Sequence, residues 1–174
     1  MLLIGGGGNG NTSSRGGGSG AVTVWWGAAQ HVPDSLVISI STGNASNTTV
    51  NYRGTGGLVA LLTANGASTV TGGTVSSNNF FGATGFFSSV AGQDGNTASV
   101  PVSTTTFLSG GADTTGDTVT ANYGYTTPSD GNGNFFIQPI IVGLGGVSAG
   151  RGGIGCGGGQ DGVGGPGLVV IASW

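Results

Sequence analysis

Glycine fills 41 of the 174 positions, and the chain has neither lysine nor glutamate. A residue without a Cβ roams backbone space when unfolded, so ordering it costs about 0.5–1 kcal/mol more than ordering alanine. Summed over 41 residues, that penalty exceeds the net stability of an ordinary domain. Such a chain is either never ordered or is held by something besides a conventional core. The aromatic content decides between the two. Three Trp, three Tyr and seven Phe within a 36% hydrophobic chain argue for order, because disordered segments are poor in aromatics and rich in charge. The length suits one domain, read here as a single glycine-rich β domain spanning 1–174.

Charge is nearly missing. Arg15, Arg53 and Arg151 face Asp34, Asp94, Asp113, Asp117, Asp130 and Asp161, a net charge of −3. Three scattered arginines cannot follow a phosphate backbone, so nucleic acid is not an expected partner. A surface with so little charge protects a free monomer poorly, which points to cover by neighbouring subunits. Met1–Ile4 is apolar but stops at Gly5, too short for a signal peptide. No stretch approaches the roughly 20 apolar residues of a spanning helix, and no membrane partner is expected.

Without Glu or Lys, and with Gly, Pro, Asn, Ser or Thr in every dozen residues, helices are nearly excluded. Runs of β-branched and aromatic residues between turn formers predict strands at Met1–Ile4, Ala21–Trp25, Leu36–Ile40, Val50–Tyr52, Leu58–Leu62, Ala98–Val102, Asp117–Tyr125, Phe135–Val142 and Leu168–Trp174. Val22-Thr23-Val24 alternates as a half-buried strand does, whereas Leu36-Val37-Ile38 and Ile140-Ile141-Val142 are continuous and suit cover on both faces. The expected fold is all-β, a sandwich or jelly-roll-like body.

Two glycine tracts, 5–20 and 143–167, interrupt this pattern. A floppy linker is one reading. Each tract, however, is flanked by a strand that makes sense only if the chain returns to the body. The second tract also carries a loose three-residue recurrence, Gly152, Gly155, Gly158 and Gly150, Gly153, Gly159, Gly162, Gly165. Three residues per turn is the polyproline II period, so closely packed, extended polyglycine segments are expected. The apolar ends Met1–Ile4 and Leu168–Ile171 are expected to pair, with both tracts leaving at one end of the sheet.

Several stretches resemble the glycine-rich domain of bacteriophage virion proteins, especially tail-fibre and tail-tip proteins. They are Leu2-Leu3-Ile4-Gly5-Gly6-Gly7-Gly8, Arg15-Gly16-Gly17-Gly18-Ser19-Gly20-Ala21-Val22, the strand entry Val32-Pro33-Asp34-Ser35-Leu36-Val37-Ile38-Ser39-Ile40, and Gly155-Cys156-Gly157-Gly158-Gly159 leading to Gly164-Gly165-Pro166-Gly167-Leu168-Val169-Val170-Ile171-Ala172-Ser173-Trp174. The resemblance spans both ends, around half of the chain. It implies a structural protein of the virion, assembled in the host cytoplasm as a homo-oligomer, with a trimer expected, and in contact with other virion proteins.

Chemistry-bearing residues are few. His31, Asp34 and Ser35 lie close in sequence, but nothing there fixes the geometry of nucleophilic catalysis, and Asp34 after Pro33 suits a turn. One His and one Cys cannot hold a metal. Asp113, Asp117 and Asp130 stand in polar loops that could converge on calcium, though their spacing matches no EF-hand. Gly6-Gly7-Gly8 lacks the helix or the Gly-Lys-Ser/Thr of a phosphate loop. No cofactor, metal or catalytic residue is expected. Cys156, between glycines, reads as a small buried residue, with an intermolecular bridge the alternative. The adjacent pairs Trp25-Trp26, Phe80-Phe81 and Phe86-Phe87 are the candidate contact residues. Strand neighbours face opposite ways, so one member of each pair should face outward, and Gly82-Ala83-Thr84-Gly85 suggests a hairpin tip between the Phe pairs. The outward aromatics would meet a sister subunit or stack on a host surface glycan. The expectation is a non-enzymatic exterior virion protein, either a capsid decoration or a tail appendage, with a receptor-binding adhesin as alternative and a cellular glycine-rich filament protein third.

Overall fold

The computed structural model describes residues 1–11, 15–44, 46–77, 84–96, 108–112, 124–126, 140–143 and 145–173. The predicted strand at 98–102, most of those at 117–125 and 135–142, and the residues Phe80, Phe81, Asp113, Asp117, Asp130 and Trp174 lie outside them.

The strands are β1 (Leu2–Ile4), β2 (Val22–Gly27), β3 (Val37–Ser39), β4 (Thr48–Gly54), β5 (Gly57–Ala64), β6 (Gly85–Val90), β7 (Gly124–Thr126), β8 (Ile140–Gly143) and β9 (Leu168–Val170), and all but β6 fall on predicted β-branched runs. The only helical element among the described residues is a 3-10 turn at Ala29–His31. Three antiparallel sheets result, ordered β6-β2-β1-β9, β3-β4-β5 and β7-β8. The fold is all-β. The chain ends pair as expected, Leu2 opposite Val170 and Ile4 opposite Leu168, so Gly5 and Gly167 leave from the same end of the sheet.

Two apolar clusters sandwich the four-stranded sheet. Leu3 and Trp25 pack with Val50, Leu61, Leu62 and Ala64 of the three-stranded sheet. On the opposite face Leu2, Ile4 and Val22 pack with Leu108 and Cys156. Alternation along β1 therefore sends successive side chains into different cores, and all three of its residues are buried. This corrects the half-buried reading of Val22-Thr23-Val24. Thr23 is fully buried, and its hydroxyl donates to the carbonyl of Thr63 at 2.8 Å beside the hydroxyls of Ser76 and Ser89.

A bulge shapes the other sheet. Val50 pairs with Leu62 but Asn51 pairs with Ala60, leaving Leu61 as the extra residue. That slip lets the neighbours Leu61 and Leu62 both enter the core, which strict alternation forbids. β3 is the opposite case. The Leu36-Val37-Ile38 run was expected to be covered on both faces, yet β3 is an edge strand and Ile38 is 44% exposed.

The glycine tracts pack as extended segments outside the sheets, and their hydrogen bonds repeat every third residue. Gly16 and Ser19 donate to Asn96 and Gln93; Gly17 and Gly20 donate to Gly158 and Gly155; Gly18 and Ala21 donate to Thr69 and Asn65. One segment thus points its amides at three neighbours in rotation, as a chain with three residues per turn and no internal hydrogen bonds must. Segment 5–10 does the same, Gly5 and Gly8 turning to Ala21 and Gly18, Gly7 and Gly10 to Gly165 and Gly162. Side chains are shut out between them. A Cβ on Gly17 would overlap the carbonyl oxygen of Gly8, and one on Gly157 would overlap that of Gly17. Glycine's missing side chain is what allows backbone to lie on backbone here, and hydrogen bonds offset its entropy cost.

Candidate functional site

β2 and β6 run side by side, with Trp25 opposite Phe87 and Trp26 opposite Phe86. Alternation splits the aromatics as the pairs predict. Trp25 is 3% exposed within the core and Phe87 packs half-buried against it, so neither is a surface contact residue. Trp26 and Phe86 face out, 39% and 45% exposed, with ring centroids 5.9 Å apart and planes tilted by 31°. Phe86-Phe87 sits inside a six-residue strand that begins at Gly85, while Gly82 and Ala83 of the expected hairpin tip lie outside the described residues. Phe80 and Phe81 lie outside the described residues.

The pair of strands ends at Gly27 opposite Gly85. A Cβ on Gly27 would press on the Trp25 ring at 2.6 Å, so the buried indole occupies the space that a side chain would need. Alternation would place any side chain at 27 or 85 on the Trp25 face, opposite the Trp26–Phe86 pair. Trp26 and Phe86 form an exposed aromatic ledge near one end of β2 and β6. It can stack on a flat apolar face or bury itself against protein. The strand alternation of Trp25-Trp26 foretold the outward ring; the pairing of Trp26 with Phe86 across two strands was not foreseen.

A second, polar feature lies on the glycine bundle. Arg15, Gly92, Gln93, Asp94, Gly95 and Asn96 line an open cleft of about 410 Å³. The guanidinium of Arg15 donates to the carbonyl of Gly95 at 3.1 Å, and Asp94 accepts the amide of Gly72 at 2.7 Å. Both charged groups are thereby engaged in holding loops.

His31, Asp34 and Ser35 are all exposed, and no hydrogen bond among the described residues joins them. The described residues hold no group of three or more His, Cys, Asp or Glu able to bind a metal. Cys156 is fully buried, so an intermolecular bridge is closed to it in the folded chain. Burial pushes its thiol pKa up, against a smaller downward pull from hydrogen bonds with Ser109.

Compared with family models, curated proteins and solved structures, the chain matches none of them.

Proposed function

We propose that this chain is a non-enzymatic structural protein on the exterior of a bacteriophage particle, as a capsid decoration or part of a tail appendage. The observation that carries the structural half of the reading is the glycine bundle. Its interior is backbone against backbone, with hydrogen bonds repeating every third residue. The phage half rests on the resemblance of both chain ends to virion glycine-rich domains. In this reading the ledge of Trp26 and Phe86 is covered by a sister subunit, since aromatic residues are enriched at such contacts, and the assembly is a homotrimer.

The experiment is sedimentation of the purified protein across a range of concentrations, with the Trp26→Ala variant alongside, followed by mass spectrometry of purified virions from a producing host. The reading expects self-association that Trp26→Ala weakens and a high copy number in the particle. A monomer at every concentration and no copies in virions would overturn it.

A second reading is favoured by the openness of the ledge. Two exposed rings with centroids 5.9 Å apart suit a sugar face, and a receptor-binding adhesin would use them on host polysaccharide. Binding of the purified protein to host cells, lost in Trp26→Ala, separates this from the decoration role.

A further inference from the structure

We propose that the Asn65–Gly66 link is a site of spontaneous deamidation that the folded protein holds shut through the Gly66 amide. In this reaction the backbone nitrogen after an asparagine attacks the side-chain Cγ. A C–N bond forms, the Nδ2 nitrogen departs as ammonia, and a succinimide ring remains. Water then opens the ring at either carbonyl, leaving aspartate or isoaspartate. Glycine in the following position hinders the attack least. The described residues contain two such links, Asn9–Gly10 and Asn65–Gly66.

In both, the attacking nitrogen is engaged and the attacked side chain is anchored. Gly10 donates to the carbonyl of Gly162 at 3.0 Å, while Asn9 Oδ1 accepts from Gly164 at 3.0 Å. Gly66 donates to Asn47 Oδ1 at 2.9 Å, while Asn65 Nδ2 donates to the carbonyl and hydroxyl of Thr74 at 3.1 and 3.2 Å. The two locks differ in kind. Gly10 is tied to backbone inside the bundle. Gly66 is tied to a single exposed side chain on the loop before β4, so Asn65 is the site that opens first.

The isoaspartate product cannot return to its place. The Asn65 carbonyl accepts the Ala21 amide at 2.9 Å, and a Cβ on Gly5 or Gly73 would overlap that same oxygen. Isoaspartate inserts a methylene into the backbone at a point where no side-chain carbon fits. Deamidation here is therefore a one-way mark on chains that have opened, and its isoaspartate product bars them from refolding correctly.

The test incubates the full chain at mildly alkaline pH, native and unfolded in guanidinium, and follows Asn65 and Asn9 by peptide mapping and isoaspartate labelling. Asn65 should convert at least about tenfold more slowly in the native protein, the protection expected of a site that reacts only from an open state. Asn47→Ala should speed conversion at Asn65 several-fold while leaving Asn9 unchanged, and Asn47→Asp, which keeps the acceptor oxygen, should restore protection. Equal native and unfolded rates at Asn65 would overturn the proposal. So would Asn47→Ala and Asn47→Asp behaving alike, or Asn9 accelerating in step with Asn65, which would make the protection global rather than local.

Discussion

Gly155 lies directly against Ile4. A Cβ added to Gly155 would overlap Ile4 Cγ2, and the glycine's φ of +68° is one that L side chains rarely adopt. The same residue accepts the Gly20 amide and donates to Pro166, each at 2.7 Å. Bundle and apolar core therefore meet at one residue, and loosening either should loosen both.

Gly155→Ala should lose about 2–5 kcal/mol, since backbone strain and overpacking each cost about 1–3 kcal/mol. Gly56→Ala is the matched control. Its Cβ would meet nothing within 4 Å, so stability should move by less than about 0.5 kcal/mol. Denaturant unfolding of both variants checks the pair.

The two adjacent tryptophans should behave oppositely. Trp25→Ala removes a 3% exposed core residue and should cost about 3–5 kcal/mol. Trp26→Ala removes a 39% exposed ring and its contact with Phe86, worth about 0.5–1.5 kcal/mol, so it should cost less than Trp25→Ala, yet it should abolish the contact made by the ledge. Thermal melts read the first effect, and sedimentation or cell binding reads the second.

Thr23→Val keeps the side chain's shape but deletes the hydroxyl that reaches the Thr63 carbonyl. Removing that donor leaves a part-buried carbonyl with one partner fewer, so the substitution should cost about 1–3 kcal/mol. Thr23→Ser, which retains the hydroxyl, should cost less, as measured by the same denaturant midpoints.

Stability should fall at alkaline pH through Cys156. Its folded thiol pKa is raised above the ordinary value of 9.0 by burial. Above that value the unfolded chain loses the thiol proton while the folded chain keeps it, and ionisation therefore draws the equilibrium toward the unfolded state. The loss begins near the unfolded value and is complete once pH passes the folded one. Cys156→Ala should remove this part of the decline in unfolding free energy measured across that range.

How much of this was legible varied with how local the cause was. Leu2-Leu3-Ile4 and Leu168-Val169-Val170 could be paired on sight, because each is apolar and abuts a glycine tract. The three-residue recurrence of glycines announced extended packing, and the hydrogen bonds of Gly17, Gly20, Gly18 and Ala21 display the same period. β6 was hidden, because Ser88-Ser89 breaks its apolar pattern; those serines face Val24 and Thr23 across the sheet. Ile38 misled in the other direction, as an apolar run does not reveal whether its strand lies at an edge. The inward turn of both Leu61 and Leu62 depends on a bulge, which register decides and composition does not. At the candidate site, alternation sorted Trp25 from Trp26, while the partner strand that brings Phe86 to Trp26 came only from the fold.

Amide hydrogen exchange by NMR tests the central claim most directly, namely that the glycine tracts form an ordered, hydrogen-bonded bundle continuous with the core. The amides of Gly17, Gly18, Gly20, Gly157 and Gly158 should exchange as slowly as those of Leu3 and Thr23. Exchange of these glycines at the rate of an unstructured peptide, with Leu3 and Thr23 still protected, would contradict it.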